Sequence, residues 1–162
     1  MTTYAGTLTG NPYLDLSQSS EAQNISDIRN MKSMPNSFFD MEYRKRLILD
    51  GLTNALTEAA EENREAYIAF LNNTNSLAYA AGFLAHLPAD FPFPEISLDN
   101  DGDIAIDWDY EPRRIMSISV GKDGTLNFAW LVGYSKQHGI ETFKNNIPES
   151  ILTGIQRVLG IR

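Results

Sequence analysis

The longest regular hydrophobic pattern in the chain runs from about Asp40 to Ala60. Apolar side chains recur there at steps of three and four residues, which places them on one side of an α-helix. These side chains are Tyr43, Leu47, Ile48, Leu52, Ala55, Leu56 and Ala59. Ser37 and Asp40 can cap the first turn. The spacing predicts an amphipathic helix, with Gly51 at a close helix contact.

Two later segments repeat this spacing. One begins at Ser76 and stops at Pro88, which cannot continue a helix. The other follows Pro148, which suits a first helical turn. Their apolar positions are Leu77, Ala80, Ala81, Leu84 and Leu87 in the first segment, and Ile151, Leu152, Ile155, Val158 and Leu159 in the second. We predict helices within residues 40–87 and over 148–159.

Between Pro94 and Val132 the period changes to two. Three runs alternate apolar with polar or small residues, as half-buried antiparallel strands do. The apolar positions are Ile104, Ile106, Trp108 and Tyr110, then Met116, Ile118 and Val120, then Leu126, Phe128, Trp130 and Val132. Glu95–Leu98 would add a short leading strand, and the polar segment Ser135–Gly139 is interpreted as a loop.

The order of helices, meander and helix is typical of a segregated α+β fold. We predict N-terminal helices packed on a three- to four-stranded antiparallel meander sheet over residues 95–132, with a C-terminal helix. Residues 37–162 would form a single α+β domain. Residues 1–36 are rich in Ser, Thr and Asn and would form a polar arm, partly ordered by a short amphipathic helix at Ser20–Lys32.

Composition and charge narrow the classes of function. The 162 residues include no cysteine, which excludes disulfides, thiolate metal sites and cysteine nucleophiles. The formal net charge is −8, and an acidic chain lacks the clustered Lys and Arg that phosphate contacts need. No signal-peptide pattern opens the chain, and no apolar run approaches the ~20 residues of a membrane span. We expect a cytoplasmic protein with no direct nucleic-acid binding and no membrane contact.

The side chains that most often carry catalysis form no recognisable set. His86 falls near a predicted helix end and His138 in a predicted polar loop, so the two histidines do not indicate a zinc site. The sequence also lacks a phosphate loop, a dinucleotide fingerprint and a nucleophile elbow. We therefore expect no enzyme activity, no cofactor and no metal.

Acidic residues suggest two further chemistries, and neither fits. Asp99–Asp103 has the composition of a calcium loop, but Trp108 or Tyr110 falls where the twelfth-position Glu is required. Asp107 and Asp109 could be paired catalytic carboxylates, but an open sheet face offers no burial to separate their pKa values.

The acidic segment itself is the best candidate for a functional surface. From Glu95 to Glu111 there are seven acids and no base, namely Glu95, Asp99, Asp101, Asp103, Asp107, Asp109 and Glu111. Two interpretations stay open: the charges protect an edge strand from aggregation, or they dock a basic partner. Arg113 and Arg114 follow directly and could neutralise the acids across the hairpin.

The same region resembles a group of small uncharacterised bacterial proteins. The shared pattern is a proline, a hydrophobic strand, an acidic-glycine turn, a strand ending in acid-tryptophan, an aliphatic strand and aspartate-glycine. Here it is carried by Pro94–Ser97, Asp101–Ile104, Ile106–Trp108, Met116–Val120 and Lys122–Gly124, with Asp107 where Glu is commoner. The resemblance covers about residues 92–130. It implies an interaction role such as toxin neutralisation or immunity and supplies no active site to transfer.

These observations lead to one main hypothesis and two alternatives. The main hypothesis is a non-catalytic protein-binding module, of the antitoxin, immunity or inhibitor kind or a subunit of an accessory complex, that recognises a basic protein surface. Its binding residues would be Asp103, Asp107, Asp109, Asp101, Glu111 and, in the arm, Tyr13. The alternatives are a small enzyme that uses His86 or His138 with a carboxylate, and a homo-oligomer joined through the Ala-rich helix Ser76–Leu87.

Overall fold

A computed structural model of the protein describes residues 38–161. Within this range three helices precede five strands, and one helix follows them. The helices are α1 (Phe38–Glu62), α2 (Arg64–Leu71), α3 (Asn75–His86) and α4 (Glu149–Leu159). The strands are β1 (Glu95–Leu98), β2 (Ile104–Glu111), β3 (Arg114–Val120), β4 (Thr125–Val132) and β5 (Ser135–Thr142). The helix predicted at residues 20–32 lies outside the described residues.

The helix boundaries follow from local chemistry, and their order confirms the predicted α+β class. Asn63 separates α1 from α2 because its side-chain oxygen accepts the backbone N–H of Ala66 at 3.2 Å and so caps α2. α3 ends two residues before Pro88. α4 ends where Gly160 adopts a left-handed φ of 71°. None of the described helices combines the length and the apolar composition needed to cross a membrane.

The five strands form an antiparallel meander in which each strand pairs with the next along the chain. The sheet is therefore bordered by β1 and β5. Directly paired residues of antiparallel strands point to the same face, so the register assigns every side chain to a face. Ile106, for example, lies between Ile96 of β1 and Ile118 of β3.

One face of the sheet, the covered face, packs against the helices. It carries the buried side chains Ile104, Ile106, Trp108, Met116, Ile118, Val120, Leu126, Phe128 and Trp130. Gly154 lets α4 approach this face, because a Cβ there would lie 2.7 Å from Cδ1 of Trp130. Gly51 does the same for α1, because a Cβ there would lie 2.8 Å from Cδ1 of Ile96. The close contact at Gly51 is therefore with β1, whereas the sequence predicted a close helix contact there.

The sheet has five strands, not the three or four predicted, and it extends to residue 142 instead of 132. β5 includes the segment Ser135–Gly139 that the sequence pattern assigned to a loop. A two-residue turn at Gly133 and Tyr134, with φ 61° at Gly133, joins it to β4. Six of the eight β5 residues are exposed, so the strand lacks the apolar alternation that reveals a half-buried strand.

Candidate interaction surface

The face opposite the covered face, which we name the open face, is lined by exposed and half-exposed side chains. Along most of their length its middle strands carry small residues, namely Ala105, Ser117, Ser119, Asn127 and Ala129, whereas Ile115 and Leu131 lie beside Asp109 at one end. Acidic residues border these on the β1–β2 side, whereas Lys136, His138 and Ile140 border them on β5. The short central side chains form a shallow depression on the open face. The β1–β2 side of this depression is acidic, whereas the β5 side carries a basic, an aromatic and an apolar side chain.

Three carboxylates gather where β1 begins, and we name Glu95, Asp107 and Asp109 the acidic corner. Glu95 pairs directly with Asp107, and Asp109 is the next residue of β2 on the same face. Glu95 and Asp109 are exposed and Asp107 is half-buried. Like charges directly opposite one another destabilise a sheet by a few tenths of a kcal/mol up to about 1 kcal/mol. The register therefore concentrates negative charge at a small cost in stability.

Arg113 and Arg114 do not neutralise the acidic corner. Arg114 donates to the backbone carbonyls of Arg157 and Val158 near the end of α4, each at 2.8 Å, and its Nη1 lies 4.0 Å from Oε2 of Glu111. Arg113 donates from Nε to the carbonyl of Gly133 at 2.9 Å, with its guanidinium 4.4 Å from the ring centre of Tyr134. Among the described residues no ion pair includes a member of the acidic corner.

A cavity of about 180 Å³ borders the acidic corner, where β2 continues past the start of β1. It is lined by Pro92, Phe93, Glu95, Asp107, Trp108, Asp109, Tyr110 and Leu159. Trp108 is fixed in this wall because its Nε1 donates to the carbonyl of Pro92 at 3.0 Å. Carboxylates beside aromatic rings suit the charged head and the apolar stem of a Lys or Arg side chain.

Asp103 belongs to the β1–β2 turn instead of presenting a free carboxylate on the open face. Its Oδ1 accepts Nδ2 of Asn73 at 2.9 Å, and its Oδ2 lies 3.5 Å from the hydroxyl of Ser119. Asp99 closes the turn by accepting the backbone N–H groups of Asp101 and Asp103. Partial burial raises the pKa of Asp103, and the carboxylate of Asp99 raises it further. Asp103 thus ties the α2–α3 connection to the sheet.

The other predicted binding residues are dispersed. Asp101 is exposed in the β1–β2 turn, and Glu111 is exposed at the end of β2. Tyr13 lies outside the described residues. Asp107 and Asp109 share the open face with Glu95, which the sequence did not single out because its pairing with Asp107 depends on the register.

The depression on the open face is an open groove of about 340 Å³ that crosses β3, β4 and β5. Ser117, Ser119, Asn127 and Ala129 form its floor, and His138 and Ile140 form its β5 side. The sequence pattern did not predict this groove, because it depends on β5. A turn signal, Gly133 directly after the third predicted strand, could have indicated that a further strand follows.

Within residues 38–161 neither histidine forms an ion pair with a carboxylate. His138 has no hydrogen-bonded side-chain partner among the described residues, although its ring borders the groove. His86 ends α3, with Nδ1 2.7 Å from the carbonyl of Gly82 and its ring packed on Phe143. Within residues 38–161 no group of three or more His, Asp or Glu side chains is placed to hold a metal ion.

Comparison of the chain with protein-family models, curated proteins and solved structures finds no match. The resemblance carried by residues 92–130 therefore stays a prediction. The geometry of the open face, with its acidic corner, is the basis on which a function can be argued.

Proposed function

We propose that the protein is a non-catalytic protein-binding module whose open face docks a partner with a basic surface. The observation that carries the proposal is the acidic corner: Glu95, Asp107 and Asp109 share one face, and no described residue forms an ion pair with them. Such a module would be of the inhibitor, immunity or antitoxin kind, or a subunit of an accessory complex.

The contacts at the corner suggest how the partner would be held. A Lys or Arg of the partner would place its charged head between Asp107 and Asp109 and lay its stem against Phe93 or Tyr110 in the adjoining cavity. Exposed ion pairs contribute about 0.2–1 kcal/mol each, so the acidic corner would provide orientation and a fast encounter. The small side chains of Ser117, Ser119, Asn127 and Ala129 would let the partner approach that part of the sheet closely.

Charge reversal at the corner, compared with the same reversal elsewhere, tests the proposal. The variant D107K/D109K changes the acidic corner, and D50K/E58K changes two exposed residues of α1. Each reversal adds two charge units, so both variants carry a net charge of −4 instead of −8. Tagged wild type and both variants are used to capture proteins from a lysate of the source cell at low and at high salt, with quantification by mass spectrometry.

We expect a set of basic proteins that wild type and D50K/E58K retain at low salt and that D107K/D109K loses, with circular dichroism unchanged. Binding of each captured protein, once purified, should weaken about tenfold or more in D107K/D109K, because two close charge contacts reverse sign. Equal losses in both variants would attribute capture to net charge alone, and unchanged capture by D107K/D109K would show that the corner does not bind. Either result would overturn the proposal.

A further inference from the structure

β5 is a long edge strand of the sheet. It has eight residues and no proline, and β4 is its sole described strand neighbour. Ile140 on its open-face side is 73% exposed. A strand edge of this kind presents a row of backbone N–H and C=O groups that can pair with another strand.

The hydrogen bonding shows which backbone groups of β5 face outward. Gly133 and Tyr134 form a two-residue turn, so Val132 and Ser135 close the hairpin as a hydrogen-bonded pair. The same alternation continues to the bond from the N–H of Phe143 to the carbonyl of Gly124, at 2.8 Å. Odd-numbered residues of β5 therefore bond to β4. The outward-facing groups belong to Lys136, His138, Ile140 and Thr142.

From this geometry we infer that β5 pairs antiparallel with β5 of a second copy of the chain. The register centred on Gly139 gives every outward-facing residue a partner, with Lys136 opposite Thr142 and His138 opposite Ile140 of the second copy. Gln137 then lies opposite Glu141, which allows an amide to carboxylate contact. A continuous sheet of ten strands would result from two sheets of five.

Charge favours this edge for contact between two copies. Copies that each carry a net charge of −8 repel, and the repulsion is strongest where acids concentrate, at the acidic corner. β5 has Lys136, His138 and a single acid, Glu141. In the register centred on Gly139, Lys136 faces Thr142 and Glu141 faces Gln137 of the second copy. No two like charges are therefore directly opposite.

The opposite edge of the sheet explains why pairing would stop at two copies. β1 has four residues, follows Pro92 and Pro94, and begins at Glu95 of the acidic corner. Short length, proline and charge are the features that block strand pairing at an edge. Two β5 edges can therefore join in a closed two-fold dimer, whereas β1 offers no site for further extension.

Removal of one outward N–H tests the pairing. In H138P the proline removes a donor that does not bond to β4, and its ring occupies the space of the incoming strand. H138A is the matched control because it removes the imidazole and keeps the N–H. Sedimentation equilibrium of the full chain from about 1 μM to about 1 mM covers the affinities of small interfaces. We expect wild type and H138A to approach twice the monomer mass of 18.1 kDa.

H138P should stay monomeric at concentrations where wild type is dimeric, with at least about a tenfold weaker association. A wild-type protein that is monomeric throughout would overturn the proposal. So would a dimer that H138P leaves intact, because it would have to form elsewhere. Circular dichroism tests whether H138P is folded. If it is not, the variants T142K and T142E test the pairing instead.

Charges at Thr142 test the register itself. T142K would place a lysine opposite Lys136 of the second copy, and T142E would place a carboxylate there. Like charges directly opposite should weaken association roughly threefold to tenfold, and opposite charges should strengthen it by a similar factor. The double variant K136E/T142K should associate about as strongly as T142E, because it again places a carboxylate opposite a lysine. If T142K and T142E change the dimer equally, the register centred on Gly139 is wrong.

Discussion

β1 and β5 both border the sheet, but they are built and supported differently. β1 is short, and its Ile96 is buried against Gly51 of α1. β5 is twice as long, and the exposed side chain of Ile140 has no comparable support from a helix. The edge that is anchored in the core also carries the acidic corner, while the edge that is held mainly by backbone pairing is close to neutral.

The difference suggests that the two edges of the sheet favour different kinds of contact. Charge at β1 discourages pairing with another strand and favours long-range attraction of a basic surface. At β5 the backbone itself is the available binding group, and its side chains do not repel a second copy. Matched substitutions at corresponding positions of β1 and β5 therefore test whether the two edges differ in this way.

The largest expected difference concerns the turns next to the two edge strands, where a glycine is replaced by a residue with a side chain. Gly102 and Gly133 both have positive φ, 82° and 61°. A Cβ at Gly102 would lie 2.3 Å from the backbone nitrogen of Phe70, whereas a Cβ at Gly133 meets nothing within 4 Å. We expect G102A to cost about 3 kcal/mol or more and G133A about 1 kcal/mol in free energy of unfolding, because G133A has the φ strain alone. Urea denaturation measures both, and equal costs would contradict the structure.

Isoleucine on the two edge strands gives the second comparison. Ile96 of β1 is 9% exposed and Ile140 of β5 is 73% exposed. I96A should lower the free energy of unfolding by about 2–4 kcal/mol, since it opens a cavity against α1. I140A should change it by less than about 0.5 kcal/mol in dilute monomer. A large loss for I140A at low concentration would show that β5 is packed more tightly than the structure indicates.

The smallest expected effect concerns pH and the turn beside β1. The pKa of Asp103 is raised by burial, with a further rise from Asp99. The stability due to this shift is complete below the unfolded pKa of about 3.9 and is lost as the pH rises through the folded-state pKa. D103N should therefore be more stable than wild type at neutral pH, by a small amount because solvent screens the partly exposed carboxylate, and equal to it near pH 3.

Asp123 provides a control of opposite sign. Its pKa is lowered, chiefly because the hydroxyl of Thr125 donates to Oδ1 at 2.9 Å. The stabilisation is present above the unfolded pKa and is lost as the pH falls through the folded-state pKa. D123N should therefore be less stable than wild type at neutral pH, with the gap closing in acid. Unfolding curves at several pH values measure both variants, and a D103N protein that is less stable at neutral pH would contradict the assignment.

The sequence could predict those parts of the fold in which burial imposes a pattern. Ile104, Ile106 and Trp108 alternate because one side of β2 faces helices, and Ile151 and Ile155 recur because one side of α4 faces the sheet. β5 escaped prediction because six of its eight residues are exposed, so that packing imposes no apolar alternation on it. The helical bounds were close, since caps and prolines are local signals.

The candidate surface was predictable as a composition and not as a geometry. The run of acids from Glu95 to Glu111 is visible in the sequence. The sequence does not show which of these acids are engaged within the fold and which are grouped on the surface. Asp103 is hydrogen-bonded to Asn73, whereas Asp107 lies opposite Glu95. Both outcomes depend on contacts between residues distant along the chain, which periodicity does not encode.

Site-resolved hydrogen exchange at low and high protein concentration tests the central contrast between the edges most directly. We predict that the outward amides of β5, at Lys136, His138, Ile140 and Thr142, exchange more slowly as the concentration rises. Amides of β1, at Ile96 and Leu98, should exchange at the same rate under both conditions. Protection that rises at β1 instead, or exchange at β5 that does not depend on concentration, would contradict the account.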